Sequence, residues 1–181
     1  MKITLIMVSS LDGKTTRGDS PDVRSWTSPE DHKHFINTRD KSSLIIMGRK
    51  TYEAGQKHLK LSPNILRVVL TRSPDEFADR KVSGQLEFTS EKPTQLIHSL
   101  ERRGYAAALL TGGSHVNTIF LKAHLIQEIL LTVEPRILGT GNPIFGENDL
   151  DMRLTLMESQ TLNTNGTILL HYKVQYEPTT N

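Results

Sequence analysis

Three short polar segments of this chain each follow an apolar run directly, and their residue types suit phosphate groups. Residues 47–51 (MGRKT) and 70–73 (LTRS) each bring an arginine and a hydroxyl, whereas residues 111–114 (TGGS) bring two adjacent glycines. The planar guanidinium group of arginine can donate two hydrogen bonds to a phosphate at once. A ligand with a pyrophosphate and a separate phosphate matches this set, and NADPH is the commonest such ligand. The alternative is that Arg49, Lys50 and Arg72 are solvated surface charges.

The two glycines stand between a strand pattern and a helix pattern. Residues 106–111 are small and mostly apolar, and apolar residues recur at helical spacing from Val116 onwards. Glycine lets the backbone come close to a bound group because it has no Cβ, and a helix N-terminus presents free N–H groups. Gly112 and Gly113 therefore predict an anion-binding turn. The alternative is a strand-end turn without a ligand.

Alternating strands and helices would bring these segments together, because the carboxyl ends of parallel strands lie along one edge of a sheet. Buried strands are predicted by the apolar runs at 3–8, 43–47, 65–70, 106–110 and 128–135. A helix is predicted from Pro29 to about Thr38, with Ser28 as its N-cap. His32 and His34 are expected on the exposed side of that helix.

The end of the chain has a different pattern. Two strands, at about 153–162 and 167–177, flank a hairpin signal at residues 163–166 (NTNG). Residues 75–85 are expected to form a surface loop. The whole pattern predicts one α/β domain over residues 1–181, a three-layer sandwich in which helices flank a mixed, mostly parallel sheet with a C-terminal β-hairpin.

Composition excludes several classes of protein. The 181 residues include no cysteine, so the chain can form no disulfide and no thiolate zinc site, and the 7 histidines lack metal-ligand spacing. The 22 basic and 20 acidic residues are interleaved, with a net charge of +2, which is not the footprint of a nucleic-acid-binding protein. Neither a signal peptide nor an apolar run of membrane length is present. We therefore expect a cytoplasmic protein without a metal, a nucleic-acid partner or a membrane partner.

Common catalytic motifs are missing as well. The chain contains neither G-x-G-x-x-G nor G-x-x-x-x-G-K-[ST], which argues against a Rossmann dehydrogenase and a P-loop kinase. Ser9 and Ser10 lack the G-x-S-x-G setting of a serine hydrolase.

Several longer motifs resemble known reductases. Residues 48–53 (GRKTYE), the pattern W-x-x-P-x-D-x-x-x-F at 26–35 and the glycine pair before a helix resemble the dihydrofolate reductase superfamily. Residues 10–14 (SLDGK), 26–29 (WTSP) and 138–145 (LGTGNPIF) are more similar to the reductase domain of the riboflavin-biosynthesis deaminase–reductase and its stand-alone relatives. The resemblance covers nearly the whole chain in order. It implies a dihydrofolate reductase-like fold, NADPH as hydride donor and a homodimer.

The resemblance also implies roles for single residues. Its cofactor-binding positions are Val8, Thr15, Gly48, Arg49, Lys50, Thr51, Thr71, Arg72, Gly112, Gly113, Ser114, His115 and Val116. Among these, Val8 and Thr15 would edge the nicotinamide, and Thr71 and Arg72 would hold the 2′-phosphate. Trp26 and Phe35 would line the substrate site. Asp12 and Lys14 would face the substrate, with Lys14 directed toward a ribose or its phosphate.

Asp31 divides two interpretations of the substrate. In folate reductases an acid at this position pairs with the 2-amino group and ring nitrogen of the pterin, and a diaminopyrimidinone ribosyl phosphate presents a similar edge. The alternative is that Asp31 is only a first-turn partner of the helix dipole. Against folate, residues 62–65 (SPNI) lack the arginine that grips the glutamate carboxylate, and Arg67 lies two residues later, about 6–7 Å along the strand.

These observations predict an NADPH-dependent reductase with Asp31, Lys14 and Asp12 as its catalytic residues. Its reaction would deliver hydride to C1′ of 5-amino-6-(5-phosphoribosylamino)uracil or the 2,5-diaminopyrimidinone equivalent. Two alternatives stay open: a dihydrofolate reductase, and a non-catalytic nucleotide-binding module on the same scaffold. Deamination would need another protein, because its zinc ligands include cysteines that this chain lacks.

Overall fold

An eight-stranded sheet forms the middle layer of the computed structural model, which describes residues 1–146 and 149–176. The strands are β1 (Lys2–Ser10), β2 (Leu44–Gly48), β3 (Leu66–Leu70), β4 (Leu86–Thr89), β5 (Ala107–Leu110), β6 (Glu128–Glu134), β7 (Arg153–Thr161) and β8 (Ile168–Gln175). The α-helices are α1 (Pro29–Asp40), α2 (Arg49–Gly55), α3 (Pro93–Arg102) and α4 (Ser114–Lys122). Short 3-10 segments occupy Val23–Ser25, Gln56–His58 and Pro74–Arg80.

The strand order is β4-β3-β2-β5-β1-β6-β8-β7, and the first six strands of this order are parallel. β8 pairs antiparallel with β6, and β7 pairs antiparallel with β8. The predicted mixed, mostly parallel sheet with a C-terminal hairpin is therefore confirmed. Residue 177, which the sequence assigned to the last strand, lies outside the described residues.

Side chains on the two faces of the sheet pack under different helices, because alternate residues of a strand point to opposite faces. One core contains Ile3, Leu5 and Leu110 together with residues of α3 and α4. The other contains Ile45 and Leu109 together with residues of α2 and the 3-10 segment Pro74–Arg80, and Phe35 of α1 packs against it. The three predicted layers are present.

The start of α1 follows its sequence signals. Ser28 is the N-cap, and its hydroxyl accepts a hydrogen bond of 3.2 Å from the Asp31 amide, while Pro29 occupies the first turn. The prediction that His32 and His34 are exposed is wrong, since both are half-buried. His34 Nε2 is enclosed without a partner among the described residues. The sheet and neighbouring loops cover more of this helix than its polar sequence suggested.

Part of the predicted surface loop at 75–85 is ordered around an aromatic side chain. Phe77 is 5% exposed and stacks on Phe88 of β4, with ring centroids 4.8 Å apart. Burial of the Phe77 ring stabilises a 3-10 segment that local propensity alone does not specify. Within the described part of the chain, no helix is long and apolar enough to cross a membrane.

Candidate functional site

Two of the three candidate phosphate-binding segments, residues 47–51 and 111–114, are in direct contact at the carboxyl edge of the sheet. The Gly48 N–H donates a hydrogen bond of 2.7 Å to the Gly112 carbonyl. A Cβ on Gly48 would lie 2.9 Å from Val116 Cγ2, and a Cβ on Gly113 would lie 3.4 Å from Thr51 Oγ1. The starts of α2 and α4 therefore pack together so closely that position 48 accepts only glycine without a shift of its neighbours.

The N-terminus of α4 presents free backbone donors at this contact. Gly113 is its N-cap and has no side chain that could accept a hydrogen bond. The backbone N–H groups of Ser114, His115 and Val116 donate no hydrogen bond to any described residue. Gly112 has a φ of 90° and a cis peptide bond to Gly113, and the Ser114 hydroxyl donates to the Pro143 carbonyl. Such a turn before a helix can bind a phosphate through its N–H groups.

The third segment lies beside the first. Leu70, the last residue of β3, pairs with Gly48 in the parallel register of β2 and β3. Thr71 and Arg72 therefore leave the sheet next to the start of α2. The Thr71 amide donates to the Thr89 carbonyl over 2.9 Å, and Arg72 is exposed. The structure thus gathers all three segments along adjacent strand ends.

The cations at the start of α2 are not equally available. Arg49 donates to the Glu53 carboxylate one turn later, with a shortest N–O distance of 2.8 Å, whereas Lys50 is exposed. Because the Arg49 and Glu53 side chains are both partly exposed, their ion pair is weak. A phosphate could take the place of the carboxylate at little cost.

Asp12 fastens two loops to each other. Its carboxylate accepts hydrogen bonds from Ser10 Oγ at 2.6 Å, the Leu138 amide at 3.0 Å and the Gly139 amide at 2.7 Å. These hydrogen bonds, that of Ser10 first, lower the pKa of Asp12 to about 2. In the structure, the Asp12 carboxylate therefore binds backbone amides of the loop after β6. The sequence-based expectation was that Asp12 faces the substrate.

The same two loops are joined at Thr15. Its amide and its hydroxyl both donate to the Asn142 carbonyl, over 2.7 and 3.1 Å, and its side chain is buried. Lys14 pairs through its backbone with Pro143 and is half-buried, as is Val8 of β1. The loop after β1 and the loop after β6 thus form one unit that borders the carboxyl ends of both strands.

Asp31 is a buried carboxyl group in the first turn of α1, with 8% of its surface exposed. The Thr132 hydroxyl and the Glu134 carboxylate of β6 both lie near enough to act on it electrostatically. Burial raises the pKa of Asp31 to about 6, the nearby Thr132 hydroxyl opposes that rise, and the Glu134 charge adds to it. Such a carboxyl retains a protonated fraction near neutral pH and can supply a proton.

Glu134 was not identified as a site residue by the sequence analysis. It is 3% exposed, and its carboxylate accepts from the Ser28 amide at 2.7 Å and from Thr167 Oγ1 at 2.8 Å. A signal was present, since Thr132 and Glu134 are polar residues two apart that follow the apolar run at residues 129–131 of β6. That spacing places both side chains on one face of β6, the face that α1 covers.

Trp26 and Phe35 lie on either side of Asp31 in sequence. Trp26 is 2% exposed, and its indole Nε1–H has no acceptor among the described residues. Phe35 is half-buried against the core under α1. A buried indole donor without an acceptor is costly unless a ligand or water accepts from it. Trp26 therefore fits the wall of a site for a polar ring.

A basic cavity of about 400 Å³ lies at the other end of α1, where β2 and β3 begin. The cations that line it are Arg39, Lys41, Lys60 and Arg67. Arg67 is 3% exposed, its guanidinium group donates a hydrogen bond to the Ile65 carbonyl at 3.3 Å, and burial lowers its pKa. Arg39 is paired with Asp40 at 2.7 Å. The cavity suits an anion, and the sequence did not reveal it because its residues come from separate segments.

The described residues contain no group of three or more histidine, aspartate or glutamate side chains that could hold a metal ion.

Comparison with known proteins relates the whole chain to one family. The family profile described as the RibD C-terminal domain matches residues 1–168. YwjB of Bacillus subtilis (strain 168) is 27% identical over 181 aligned residues, which cover 94% of this chain and 97% of YwjB.

Solved structures share the fold at low sequence identity. The diaminohydroxyphosphoribosylaminopyrimidine deaminase/5-amino-6-(5-phosphoribosylamino)uracil reductase of Thermotoga maritima has a TM-score of 0.73 at 17% identity, over 96% of this chain and 56% of that one. The dihydrofolate reductase of Enterococcus faecalis, complexed with NADP(H) and RAB-propyl, has a TM-score of 0.68 at 18% identity, over 97% of each chain. The fold is thus common to both kinds of reductase that the motifs resemble.

Proposed function

The chain belongs to the RibD C-terminal domain family, and from that membership we propose that it is an NADPH-dependent reductase of a ribosylaminopyrimidine phosphate. One observation carries this proposal: the glycine turns and the buried Asp31 lie at the same edge of one sheet. β1 separates β5 from β6, so two strand spacings, about 10 Å, lie between the Gly112 turn and the end of β6. A cofactor bound at the turns would reach a substrate held by Asp31.

The residues at the turns fit NADPH. The amides of α4 and the Gly112–Gly113 backbone would hold the pyrophosphate, and Arg72 with Thr71 would hold the 2′-phosphate. Val8 and Thr15, on and after β1, would border the nicotinamide. NADPH bound in this way would supply the hydride for C1′ of the substrate. The chain contributes position and charge, and the close Gly48–Gly112 contact keeps the binding backbone fixed.

Asp31 would bind the pyrimidine. Its carboxyl faces the amino group and ring nitrogen of the base, while the free indole N–H of Trp26 offers a donor to a carbonyl oxygen. Hydride addition at C1′ opens the sugar, and the ring oxygen takes up a proton as it becomes a hydroxyl. Lys14, on the loop after β1, is the cation proposed nearest to that ribose. Asp12 would act through the loop that it fastens.

The basic cavity gives the phosphate of such a substrate a place to bind. Asp31 and Arg39 are eight residues apart on α1, which corresponds to about 12 Å along the helix axis. A ribosylaminopyrimidine phosphate spans a comparable length from its 2-amino group to its phosphate. Arg67, buried without a carboxylate partner in the described chain, would donate to that phosphate.

Dihydrofolate reduction is the second candidate, and the buried Asp31 carboxyl beside the Thr132 hydroxyl favours it. The substrates of the two candidate reactions differ at their anionic end, which is a phosphate in the pyrimidine and a glutamate carboxylate in dihydrofolate. The experiment measures the absorbance of NADPH with purified protein and, separately, the pyrimidine ribosyl phosphate and dihydrofolate. Oxidation with the pyrimidine alone supports our proposal, oxidation with dihydrofolate alone replaces it, and oxidation with neither supports the non-catalytic nucleotide-binding alternative.

We also propose that the protein is a homodimer. β7 is an edge strand whose 9 residues are all exposed, and Leu154, Leu156 and Met157 on it are exposed by 43, 51 and 58%. An exposed apolar edge strand invites pairing with another chain. A second copy of this chain would cover these side chains.

A further inference from the structure

Two buried polar residues of β6 hold the first turn of α1. Thr132 and Glu134 are 1% and 3% exposed and lie two residues apart, on the same face of the strand. The Thr132 hydroxyl lies close enough to the Asp31 carboxyl to lower its pKa. Glu134 Oε1 accepts from the Ser28 amide at 2.7 Å, and the Ser28 hydroxyl accepts from the Asp31 amide at 3.2 Å. Glu134 therefore acts on the Asp31 backbone through Ser28, whose amide it binds and whose hydroxyl binds the Asp31 amide.

The other oxygen of Glu134 connects this arrangement to the C-terminal hairpin. Glu134 Oε2 accepts from Thr167 Oγ1 at 2.8 Å. The Thr167 amide donates to Asn163 Oδ1 at 3.1 Å, and Asn163 Nδ2 donates to Glu30 Oε2 at 3.0 Å. Both oxygens of Glu134 thus accept a hydrogen bond, which suits an ionised carboxylate.

Within the described chain, no cation offsets the negative charges of Glu134 and of ionised Asp31 at this buried position. On β6, Thr132 is neutral and Glu134 is acidic. On α1, the Glu30 carboxylate is turned to Asn163, and burial lowers the pKa of His34, one turn further on. Two carboxyl groups that share a buried site do not ionise together easily. The charge on Glu134 therefore opposes ionisation of Asp31.

We propose that Glu134 is a positioning residue for Asp31: it holds the first turn of α1 through Ser28, and its buried carboxylate opposes ionisation of the Asp31 carboxyl. The meaning of this effect on Asp31 for catalysis rests on the proposed function. The arrangement itself does not, because it consists of contacts among Ser28, Asp31, Thr132, Glu134 and Thr167.

The test is carbon-13 carboxyl NMR of aspartate-labelled protein, with Asp31→Asn to assign the Asp31 resonance. We expect Asp31 to titrate near 6 in the unmodified chain, and about half a pH unit or more lower in Glu134→Gln, which removes the charge and retains an acceptor for Ser28. Thr167→Val is the matched control. It removes a hydrogen bond of Glu134 but no charge, so it should lower the melting temperature and leave the Asp31 midpoint nearly unchanged.

An Asp31 midpoint that is the same with and without the Glu134 charge would overturn the proposal. If Glu134→Gln does not fold, glutamate labelling of the unmodified chain decides: a buried glutamate that takes up its proton before Asp31 as the pH falls contradicts the proposal. With the proposed substrate, the alkaline limb of kcat/KM should move to lower pH in Glu134→Gln while NADPH affinity stays constant. Absence of turnover in the unmodified protein would refute the proposed function, and the NMR result would still decide this inference.

Discussion

Gly48 and Val116 leave no space for a side chain between them, since a Cβ at position 48 would lie 2.9 Å from Val116 Cγ2. The contact joins the start of α2 to the first turn of α4. It keeps the Gly112 turn at a fixed distance from β2. The proposed cofactor site therefore depends on a residue that contributes no side chain.

Gly48→Ala should disturb this contact. The added methyl group forces a shift of the Val116 side chain, so we expect the free energy of unfolding to fall by about 1–3 kcal/mol and NADPH affinity to fall with it. Urea unfolding and fluorescence titration with NADPH measure the two effects. Gly55→Ala is the matched control, because among the described residues no atom outside its own helix and its two chain neighbours lies within 4 Å of the new methyl group. Equal NADPH affinity in both variants would contradict the proposed site.

Arg72 should determine the preference for NADPH over NADH. If it binds the 2′-phosphate, Arg72→Gln removes charge-assisted hydrogen bonds worth about 1.5–3 kcal/mol, roughly a tenfold or greater loss of NADPH affinity. Affinity for NADH, which lacks that phosphate, should not change. Arg102→Gln, at the exposed end of α3, serves as the control. A similar affinity of the unmodified protein for both cofactors would refute this assignment.

Arg67→Leu should separate stability from substrate binding. Burial lowers the pKa of Arg67, so its charge opposes folding, and leucine should raise the free energy of unfolding by about 1 kcal/mol. The same change should raise KM for the phosphorylated pyrimidine about tenfold and leave KM for NADPH constant. Lys33→Leu, on the exposed surface of α1, should do neither. An unaltered KM in Arg67→Leu would mean that the phosphate binds elsewhere.

Asp31 should make the protein less stable as the pH rises. Its pKa is raised from 3.8 to about 6 in the folded state, so the stability present below pH 3.8 is lost as the pH rises through 6. A shift of this size corresponds to about 3 kcal/mol. Asp31→Asn should therefore unfold at higher urea concentration than the unmodified protein at pH 8, and lose turnover. If the variant gains as much stability at pH 3.5 as at pH 8, the titration of Asp31 is not the cause.

Asp12 should have the opposite dependence. Hydrogen bonds lower its pKa to about 2, so its contribution is present above its unfolded-state value and is lost as the pH falls toward 2. Asp12→Asn should weaken the attachment between the loops after β1 and β6 at neutral pH. Hydrogen exchange at the Gly139 amide would detect this, with faster exchange in the variant. Exchange that is unchanged would show that the Asp12 carboxylate does not hold the loop.

Leu156→Lys should dissociate the proposed dimer. The charge would be placed on the exposed edge strand β7, where a second copy is proposed to cover the leucine. Sedimentation velocity should then report a dimer for the unmodified chain and a monomer for the variant. Leu61→Lys introduces the same charge at another exposed leucine and should remain dimeric. A monomeric unmodified chain would refute the proposal directly.

Local patterns in the sequence determined most of the fold. Apolar runs specified the parallel strands, Ser28 and Pro29 specified the start of α1, and residues 163–166 specified the hairpin. These signals depend only on nearby residues in the chain and on side-chain alternation, so they can be recognised without the tertiary structure. The glycine turns and Asp31 were recognisable for the same reason, since each lies in a short motif.

Only the tertiary structure decided which groups meet. The contact between Gly48 and Val116 and the approach of Glu134 to Asp31 join residues far apart in the chain. The four cations of the basic cavity come from two segments, residues 39–41 and 60–67, and Asp12 proved to bind backbone amides more than a hundred residues away. Burial and the pKa shifts that follow from it depend on packing of strands against helices, which no single segment of sequence contains.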